Sequence, residues 1–389
     1  MYIPRFQENS ILQFCHNFPA TGILGPRQVG KTTLSKKIIP KLSKDTVYLD
    51  LENPADRGVL HHPMEFFNSL KDKTVIIDEI QRLPDLFPVL RSAIDQHRVP
   101  GRFILLGSAS RELITLSNET LAGRIVFTEL TPFYLNELAG IIDFRDHWLK
   151  GGFPDALQAS DAFMRASWMR SYIASYIERD LGLLGLSSSP YDTERLLYML
   201  SATHSGMMNY SNLSNSLGIH ANNVKNIVSF FEKSFLIRIL QPWFANVGKR
   251  LVKTPKIYFR DSGMVNYLLG LTAYEDLLRH PALGNLWEGY VIENIINSLG
   301  DGYRFYFYRT ADGAECDLLI YKGTLCIAAV DPKFSPSPSK TRSMTIAAND
   351  VKPFAAFYVV PEIQAPYSLS DNIKVATILQ TIQWIKENC

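Results

Sequence analysis

The feature that most constrains this chain is a glycine-rich octet near its start. Residues 25–32 read Gly-Pro-Arg-Gln-Val-Gly-Lys-Thr and match the phosphate-loop pattern G-x-x-x-x-G-K-[ST]. Residues 20–24 before the octet are typical of a short buried strand, and residues 33–39 after it are typical of an amphipathic helix that Pro40 ends. A strand, a glycine-rich loop and a helix in this order favour a nucleotide site over an ordinary glycine-rich turn.

The residue types in the octet suit the binding of a triphosphate. Side chains at positions 25 and 30 would hold the backbone away from the phosphates, whereas glycine lets the N–H groups point inward as an anion nest. Lys31 would then reach the β- and γ-phosphates, and the Thr32 hydroxyl would bind Mg²⁺. The candidate nucleotide-binding residues are Gly25, Pro26, Arg27, Gln28, Val29, Gly30, Lys31, Thr32 and Thr33.

A second motif supplies acidic partners for the loop. Residues 75–79 read Val-Ile-Ile-Asp-Glu, which is typical of a buried parallel strand with two carboxylates at its carboxyl end. We expect Asp78 to hold the Mg²⁺ shell, mostly through water, because Mg²⁺ dehydrates reluctantly. Glu79 is predicted to orient and deprotonate the attacking water. Adjacent acids are common in solvated loops, but their position after a phosphate loop indicates a functional pair.

Length and composition limit the class of protein. A chain of 389 residues with 46% apolar and 20% charged residues predicts a soluble protein of about two or three domains. No run approaches the roughly 18 apolar residues of a membrane span, and residues 1–10 lack the apolar core of a signal peptide. We therefore expect a cytoplasmic protein with no membrane partner. The cysteines lack C-x-x-C spacing, which favours reduced thiols over a structural zinc site. They are Cys15, Cys316, Cys326 and Cys389.

Residues 1–140 are predicted to form an α/β domain with a doubly wound parallel sheet, because strand and helix patterns alternate along them. Such a sheet binds its ligand at the carboxyl ends of its strands, where the octet and the acidic pair lie. The predicted strands are residues 20–24, 46–50, 74–77, 103–106 and 125–129, and the predicted helices are residues 32–39, 64–70 and 86–96.

Two further residues of this region are candidates for catalysis. Ser108 would touch the γ-phosphate or the attacking water if residues 103–106 lie between the first and third strands; a plain strand-end turn is the alternative. Arg124 stands just before the last predicted strand and would stabilise transition-state charge. It would act in its own chain or, in an ATP-dependent homo-oligomer, toward a neighbouring subunit. A monomer with a surface arginine at this position is the alternative.

Several further stretches, together with these motifs, give the chain a resemblance to a known family. They are Gly-Ser-Ala-Ser at residues 107–110, Leu-Ala-Gly-Arg-Ile at residues 121–125, Gly-Gly-Phe-Pro at residues 151–154 and Tyr-Ile-Glu-Arg-Asp at residues 176–180. The chain resembles the AAA-type ATPases of the AAA_14 family, which are prokaryotic proteins with a C-terminal domain of unknown function called DUF4143. The resemblance covers nearly the whole chain. It implies a P-loop ATPase that uses ATP and Mg²⁺, without indicating its biological task.

The middle of the chain divides into two predicted segments. Residues 141–190 are expected to form a helical lid or linker, because aromatic and apolar residues recur at helical spacing in residues 162–181. Residues 191–280 are predicted to form a winged helix-turn-helix with its turn at Gly218. Its predicted helices are residues 210–217 and 221–231, and its predicted wing strands are residues 236–240 and 256–259.

The winged-helix segment is basic. Between positions 225 and 260 it carries eight lysines and arginines and one acid, Glu232. A polar recognition helix followed by a basic hairpin suits contact with a groove and with phosphates, so we predict binding of duplex DNA through residues 220–256. The alternative is a winged helix that contacts protein, within an ATP-switched regulatory or scaffold protein. The basic residues are Lys225, Lys233, Arg238, Lys249, Arg250, Lys253, Lys256 and Arg260. The polar residues predicted to be exposed are His220, Asn222, Asn223, Lys225 and Asn226.

Residues 281–389 are predicted to form a restriction-endonuclease-like α/β domain. Asp317 begins one predicted strand, and Asp331 and Lys333 end the next, which matches the arrangement D…(D/E)-x-K. A hairpin between these strands would bring the two aspartates together. Residues 373–386 are predicted to form a helix that closes the domain.

The acidic residues of this domain suggest a metal site. Asp317 and Asp331 are predicted to hold a divalent metal, with Glu288 completing the site and Glu293 as a weaker candidate. Lys333 would position the attacking water. The proline before Lys333 departs from the usual pattern, so an inactive or merely nucleic-acid-binding domain is the alternative.

Overall fold

The computed structural model describes residues 2–108, 121–183, 185–244, 251–370 and 372–388. The chain divides into two compact units. The first comprises residues 1–132 with residues 233–235, and the second comprises residues 133–232 with residues 236–389. Among the described residues, no helix is both long and apolar enough to cross a membrane.

The first unit is built on a five-stranded sheet. Its strands are β1 (Ala20–Gly25), β2 (Thr46–Asp50), β3 (Thr74–Asp78), β4 (Phe103–Ser108) and β5 (Ile125–Glu129). Its helices are α1 (Gln7–Asn17), α2 (Lys31–Ile38), α3 (Pro54–Gly58), α4 (Pro63–Ser69) and α5 (Leu86–Gln96). Short 3₁₀ turns are Ile39–Lys41, Val59–His61 and Ile80–Arg82. The strand order is β2-β3-β4-β1-β5 and all neighbouring pairs are parallel. The predicted parallel sheet is therefore confirmed.

This sheet has a hydrophobic core on each face, because successive strand residues point to opposite sides. Ile23 and Ile76 pack in one cluster with residues of α1 and α2. Leu24 and Ile77, their next neighbours, pack in the other cluster with residues of α4 and α5. Because these strands are buried on both faces, their polar side chains lie at the strand ends. The candidate functional groups therefore lie at the carboxyl ends of β1, β3 and β4.

The second unit combines many helices with two sheets. Its helices are α6 (Phe144–Lys150), α7 (Pro154–Leu157), α8 (Ala162–Ser175), α9 (Leu181–Leu183), α10 (Pro190–Ala202), α11 (Tyr210–Leu217), α12 (Ala221–Lys233), α13 (Ser262–Leu268), α14 (Tyr274–Arg279), α15 (Leu283–Leu299), α16 (Arg342–Val351) and α17 (Ile378–Asn388). A π-helical segment covers Tyr176–Asp180, and 3₁₀ turns cover Leu135–Glu137 and Gly300–Gly302. The strands are β6 (Ile237–Leu240), β7 (Lys256–Phe259), β8 (Arg304–Arg309), β9 (Glu315–Lys322), β10 (Leu325–Pro332), β11 (Ala355–Val359), β12 (Tyr367–Ser370) and β13 (Ile373–Ala376).

The two sheets of the second unit differ in size and direction. Strands β6 and β7 form an antiparallel pair after the helices α11 and α12, which are joined by a turn at Gly218. The larger sheet has the order β12-β13-β11-β10-β9-β8 and mixes parallel and antiparallel pairs. Strands β9 and β10 form an antiparallel hairpin, which places positions 317 and 331 on neighbouring strands.

One hydrophobic cluster joins many helices of the second unit to one face of its larger sheet, and a separate cluster covers the other face, with Ala329 and Tyr358 among its members. The first cluster includes Tyr172 of α8, Ile227 of α12, Ile292 of α15 and Val330 of β10. The segments predicted as linker, winged helix and C-terminal domain thus share a core, and their division into separate domains stays a prediction.

The prediction of one helix over residues 373–386 is wrong at its start. Residues Ile373–Ala376 form β13, which pairs with β11 and β12. Ile373 and Val375 alternate as buried residues, which is the period of a strand. The helix begins only at Ile378. Just before it, the Thr377 N–H donates a hydrogen bond of 2.9 Å to the Gln380 side chain.

Candidate functional site

The octet forms a tight turn from β1 into α2. A Cβ atom on Gly25 would lie 2.0 Å from the Leu130 carbonyl oxygen, so only glycine fits beside that backbone. Gln28 and Gly30 have positive φ angles of 60° and 99°, which turn successive peptide groups toward the inside of the loop. Gly30 directly precedes α2, whose N-terminal N–H groups favour anions.

Lys31 lies under the loop as a buried cation. Its Nζ donates hydrogen bonds to the carbonyl oxygens of Gly25 (3.0 Å) and Pro26 (2.9 Å) and lies 3.4 Å from Ser108 Oγ. Burial lowers the pKa of the Lys31 ammonium, while the Glu79 and Asp78 carboxylates oppose that shift. The amine is thus held at the loop, where phosphate oxygens would offer it a compensating charge.

Asp78 is held by several donors. The Thr32 hydroxyl donates to Asp78 Oδ2 at 2.6 Å, and the Glu79 N–H donates to Oδ1 at 2.9 Å. The Tyr48 hydroxyl also donates to Oδ2. Burial and the hydrogen bond to Asp78 raise the pKa of Tyr48, so the phenol keeps its proton. Sequence reasoning missed Tyr48, although its place two residues before the end of the strand beside β3 was the available signal.

Glu79 has a left-handed backbone conformation, with φ 54° and ψ 45°, directly after β3. Ser108 Oγ lies 3.0 Å and 3.2 Å from its two carboxylate oxygens, and Gln81 Nε2 donates to Oε2. Ser108 reaches this carboxylate because β4 lies between β3 and β1. The structure thus brings Lys31, Thr32 and Asp78 together with Glu79 and Ser108 at one edge of the sheet.

Arg124 lies at the amino ends of the strands, opposite the carboxyl ends where the phosphate loop begins. Its carbonyl accepts a hydrogen bond from the Ala20 N–H, at the amino end of β1. Its guanidinium makes a bidentate pair with Asp95 at 2.7 and 2.9 Å. Because β1 spans six residues at about 3.3 Å each, the phosphate loop begins well out of reach. We therefore correct the interpretation of Arg124 as a catalytic residue in its own chain; a role toward a neighbouring subunit stays a prediction.

Two other arginines support the loop. Arg5 is 5% exposed and donates to the carbonyl oxygens of Val29 (3.3 Å) and Thr131. Arg27 lies 3.8 Å from Glu52, which also pairs with an arginine of the turn after β3 at 2.5 Å. Sequence reasoning missed Arg5, because an arginine near the start of a chain carries no signal of burial.

A second polar cluster lies in the second unit. Lys256 of β7 is 3% exposed, and its Nζ lies 2.9 Å from Glu288, 2.6 Å from Glu315 and 2.8 Å from Asp317. The interpretation of Lys256 as a surface contact for DNA is therefore corrected, because its charge is used inside the protein.

The other predicted members of the C-terminal site lie in the same cleft. Lys333 Nζ is 2.7 Å from Asp331 Oδ1. Glu288, Asp317, Asp331 and Lys333 line a polar cleft of about 460 Å³ together with Lys256. The structure thus brings all four predicted residues together and adds a lysine that sequence reasoning had assigned elsewhere.

Charge and burial shape the acidity of this cleft. Burial and Asp317 raise the pKa of Glu288 to about 8, and the same two causes raise the pKa of Asp331 to about 7. Burial also disfavours the Asp317 carboxylate, but Lys256, Asp331 and Lys333 together hold that pKa below its usual value. Asp317 is therefore the ionised partner of the lysine.

The cleft does not fit the predicted divalent metal. In the part of the chain that the structure describes, no group of three or more His, Cys, Asp or Glu side chains is arranged to hold a metal ion. The oxygens that would converge on an ion converge on Lys256 Nζ instead. Nuclease activity stays a prediction without support from this geometry.

The basic segment is less basic at its surface than its composition suggests. Arg238 makes a bidentate pair with Glu293 at 2.5 and 3.0 Å, and Arg260 lies 3.7 Å from the same carboxylate. Glu293 thus forms ion pairs with two arginines, and it does not line the polar cleft described above. Lys225 and Lys253 are exposed. Lys249 and Arg250 lie outside the described residues.

Comparison with known proteins found matching family models, related sequences and a similar solved structure. The model of the AAA domain family AAA_14 matches residues 17–139, and domains of unknown function DUF8612 and DUF4143 match residues 141–275 and 283–381. The uncharacterized proteins Rv2008c of Mycobacterium tuberculosis and Mb2031c of Mycobacterium bovis are each 36% identical over 358 residues, which cover 92% of this chain and 80% of theirs. The Walker-type ATPase PABY2304 of Pyrococcus abyssi aligns with a TM-score of 0.46 and 17% identity, over 69% of this chain and 96% of its own.

The parallel sheet, the phosphate loop and the acidic pair define an AAA-type P-loop protein. The chain belongs to the same family as the two mycobacterial proteins and joins an AAA_14 domain to a C-terminal DUF4143 domain. The family predicted from its motifs is confirmed.

Proposed function

We propose that this protein binds ATP with Mg²⁺ at residues 25–33 and hydrolyses it. The observation that carries the proposal is the hydrogen bond of 2.6 Å from Thr32 to Asp78, with Glu79 next in the chain. It joins the start of α2 to the end of β3, so that phosphate-binding, metal-binding and water-activating groups meet at one sheet edge. A merely structural glycine turn would not require three such groups together.

The donor set at this edge fits Mg²⁺. The Thr32 hydroxyl donates a hydrogen bond to Asp78 and keeps its oxygen lone pairs for a cation. Hydroxyl and carboxylate oxygens are the ligands that Mg²⁺ prefers, usually with several waters retained. Thr32 would bind the ion directly and Asp78 would hold its waters. When bound, the ion would neutralise charge that develops on the phosphates.

The remaining residues act on phosphate and water. Lys31 would exchange its bonds to the loop carbonyls for phosphate oxygens, since a buried ammonium gains most from an anionic partner. Glu79 would accept a proton from the attacking water. We assign Ser108 to the orientation of Glu79, because its hydroxyl lies 3.0 Å from that carboxylate.

Two variants test this proposal. Lys31→Ala should abolish ATP binding in a calorimetric titration, because the phosphates lose their buried cation. Glu79→Gln should bind MgATP with nearly unchanged affinity and release no phosphate. Lys37→Ala, an exposed lysine of the same helix, is the matched control and should behave as the unchanged chain does. Retention of full affinity by Lys31→Ala would refute the nucleotide assignment.

A second candidate function is contact with duplex DNA through a winged helix. The observation that favours it is the polar face of α12, where Asn222, Asn223, Lys225 and Asn226 are all exposed. This face follows a helix and a tight turn and precedes the β6–β7 pair, which is the order of a winged helix. A gel-shift titration with and without a non-hydrolysable ATP analogue tests both contact and coupling. No shift in either condition would favour the ATP-switched protein scaffold.

A further inference from the structure

Lys256 has the geometry of a cation held by a ligand set. Its Nζ lies within 2.6–2.9 Å of one oxygen each from Glu288, Glu315 and Asp317. Nζ donates hydrogen bonds to Glu288 and Asp317, and Glu315 is its third ionic partner. The side chain is 4% exposed, which leaves water little access to the charge.

The distances are those of an ammonium and not of a metal ion. Mg²⁺ demands oxygens at about 2.0–2.1 Å in near-octahedral geometry. The carboxylates around Lys256 Nζ stand about half an ångström or more farther out, as charge-assisted N–H···O bonds do. A metal ion at this centre would have to expel the lysine and draw the carboxylates inward.

The charges in the cleft are already balanced. Four carboxylates line it, from Glu288, Glu315, Asp317 and Asp331. Lys256, Lys333 and Arg309 lie among them, and Arg309 pairs with Glu315 at 2.9 Å. Three cations against four acids leave at most one negative charge, which is too little to attract a divalent ion strongly.

We propose that Lys256 is a built-in substitute for a divalent cation, and that removal of its ammonium converts the cleft into a metal site held by Glu288, Asp317 and Glu315. The inference is independent of the nucleotide site, which lies on other elements. In this arrangement, Lys256 of β7 supplies the cation for carboxylates on α15 and β9.

The first test uses the full chain without nucleotide. Mn²⁺ binding is followed by the electron paramagnetic resonance signal of the free ion, for the unchanged chain and for Asp317→Asn. We expect the two titrations to coincide, because the cleft takes no metal while Lys256 is present. A Mn²⁺ site in the unchanged chain that Asp317→Asn removes would overturn the proposal.

The second test removes the ammonium. Lys256→Met should gain one Mn²⁺ site, seen as at least a tenfold rise in affinity, and the double variant Lys256→Met with Asp317→Asn should lose it. Lys253→Met, an exposed lysine on the same stretch, is the matched control and should gain nothing. If Lys256→Met shows no Mn²⁺ site while folded, the proposal is wrong.

Buried carboxylates without a cation destabilise a fold, so Lys256→Met is also followed by thermal unfolding. If it unfolds early, Mn²⁺ should raise its midpoint by several degrees and should not raise that of the double variant. An identical response of both variants to Mn²⁺ would overturn the proposal just as clearly.

Discussion

The Thr32 hydroxyl donates a hydrogen bond to the Asp78 carboxylate across 2.6 Å, and this bond joins the first turn of α2 to the end of β3. Thr32→Val keeps the shape of the side chain and removes the hydroxyl, so the affinity for ATP in the presence of Mg²⁺ should fall about tenfold or more. Calorimetric titration with and without Mg²⁺ measures this effect. Thr32→Ser keeps the hydroxyl and should retain the Mg²⁺ dependence; equal affinities for Val and Ser variants would contradict the proposed role.

Tyr48 is expected to act as a positioning residue for Asp78. Tyr48→Phe removes the hydroxyl that donates to Asp78 Oδ2 and leaves the ring in place. Hydrogen bonds to charged groups contribute about 1.5–3 kcal/mol, so ATP turnover should fall roughly tenfold. The Mg²⁺ concentration for half-maximal rate should rise as well, which loss of packing alone would not cause.

The control for Tyr48 is Tyr2→Phe, which removes a phenol that donates to Glu8 at 3.2 Å. Its turnover and Mg²⁺ requirement should match those of the unchanged chain. An unchanged Mg²⁺ requirement in Tyr48→Phe would show that Tyr48 does not act through Asp78.

If residues 220–256 bind duplex DNA as proposed, that binding should depend on few lysines. The double variant Lys225→Ala, Lys253→Ala should bind duplex DNA more weakly and with a shallower slope of log affinity against log salt, by about 0.9 for each phosphate that the variant no longer neutralises. Fluorescence anisotropy at several salt concentrations measures the slope. Lys71→Ala, an exposed lysine of the first unit, should keep the original slope. Parallel slopes for all three proteins would remove these lysines from a DNA interface.

His204 should make the second unit sensitive to acid. The ring is 4% exposed, and its Nδ1 accepts a hydrogen bond of 3.0 Å from the Phe259 N–H. Burial lowers the pKa of His204 to about 3, whereas the unfolded chain takes up the proton near its ordinary value of about 6.5. Stability is thus full above that pH and falls as the pH drops, by about 2 kcal/mol at pH 5.

His204→Gln keeps an acceptor without a titrating ring, so its unfolding midpoint should fall less between pH 7 and pH 5 than that of the unchanged chain. Other groups titrate alike in both proteins and cancel in the comparison. His220→Gln changes an exposed histidine and should leave the pH dependence as it was. The same fall for His204→Gln and the unchanged chain would show that His204 is not the group responsible.

The order of local patterns was enough to predict the parallel sheet and the side chains that meet at the carboxyl ends of its strands. The run from Val75 to Glu79 is apolar until its end, which fixes a buried strand and places its carboxylates at the sheet edge. Residues 373–376 were misassigned because a short strand is followed almost directly by a helix. The spacing of apolar residues alone does not show where the strand ends and the helix begins.

Interactions between distant parts of the chain could not be predicted in the same way. Lys256 was counted as basic surface because its charge is visible in the sequence, whereas its acidic partners lie 32 to 61 residues later and meet it only through packing. Tyr48 and Arg5 were missed for the same reason, since neither belongs to a short motif. The position of Arg124 was predictable, because a residue just before a strand of a parallel sheet lies at the amino ends of the strands, away from the phosphate loop.

The shared hydrophobic cluster of the second unit has a consequence for how this protein is cut and combined. One family model ends at residue 275 and the next begins at residue 283. The same hydrophobic core nevertheless contains Ile227 on one side of this border and Ile292 on the other. A fragment that ends at such a border would expose half of a core to water and lose the cooperativity that a single core provides. We therefore expect the two family segments to unfold in one cooperative transition.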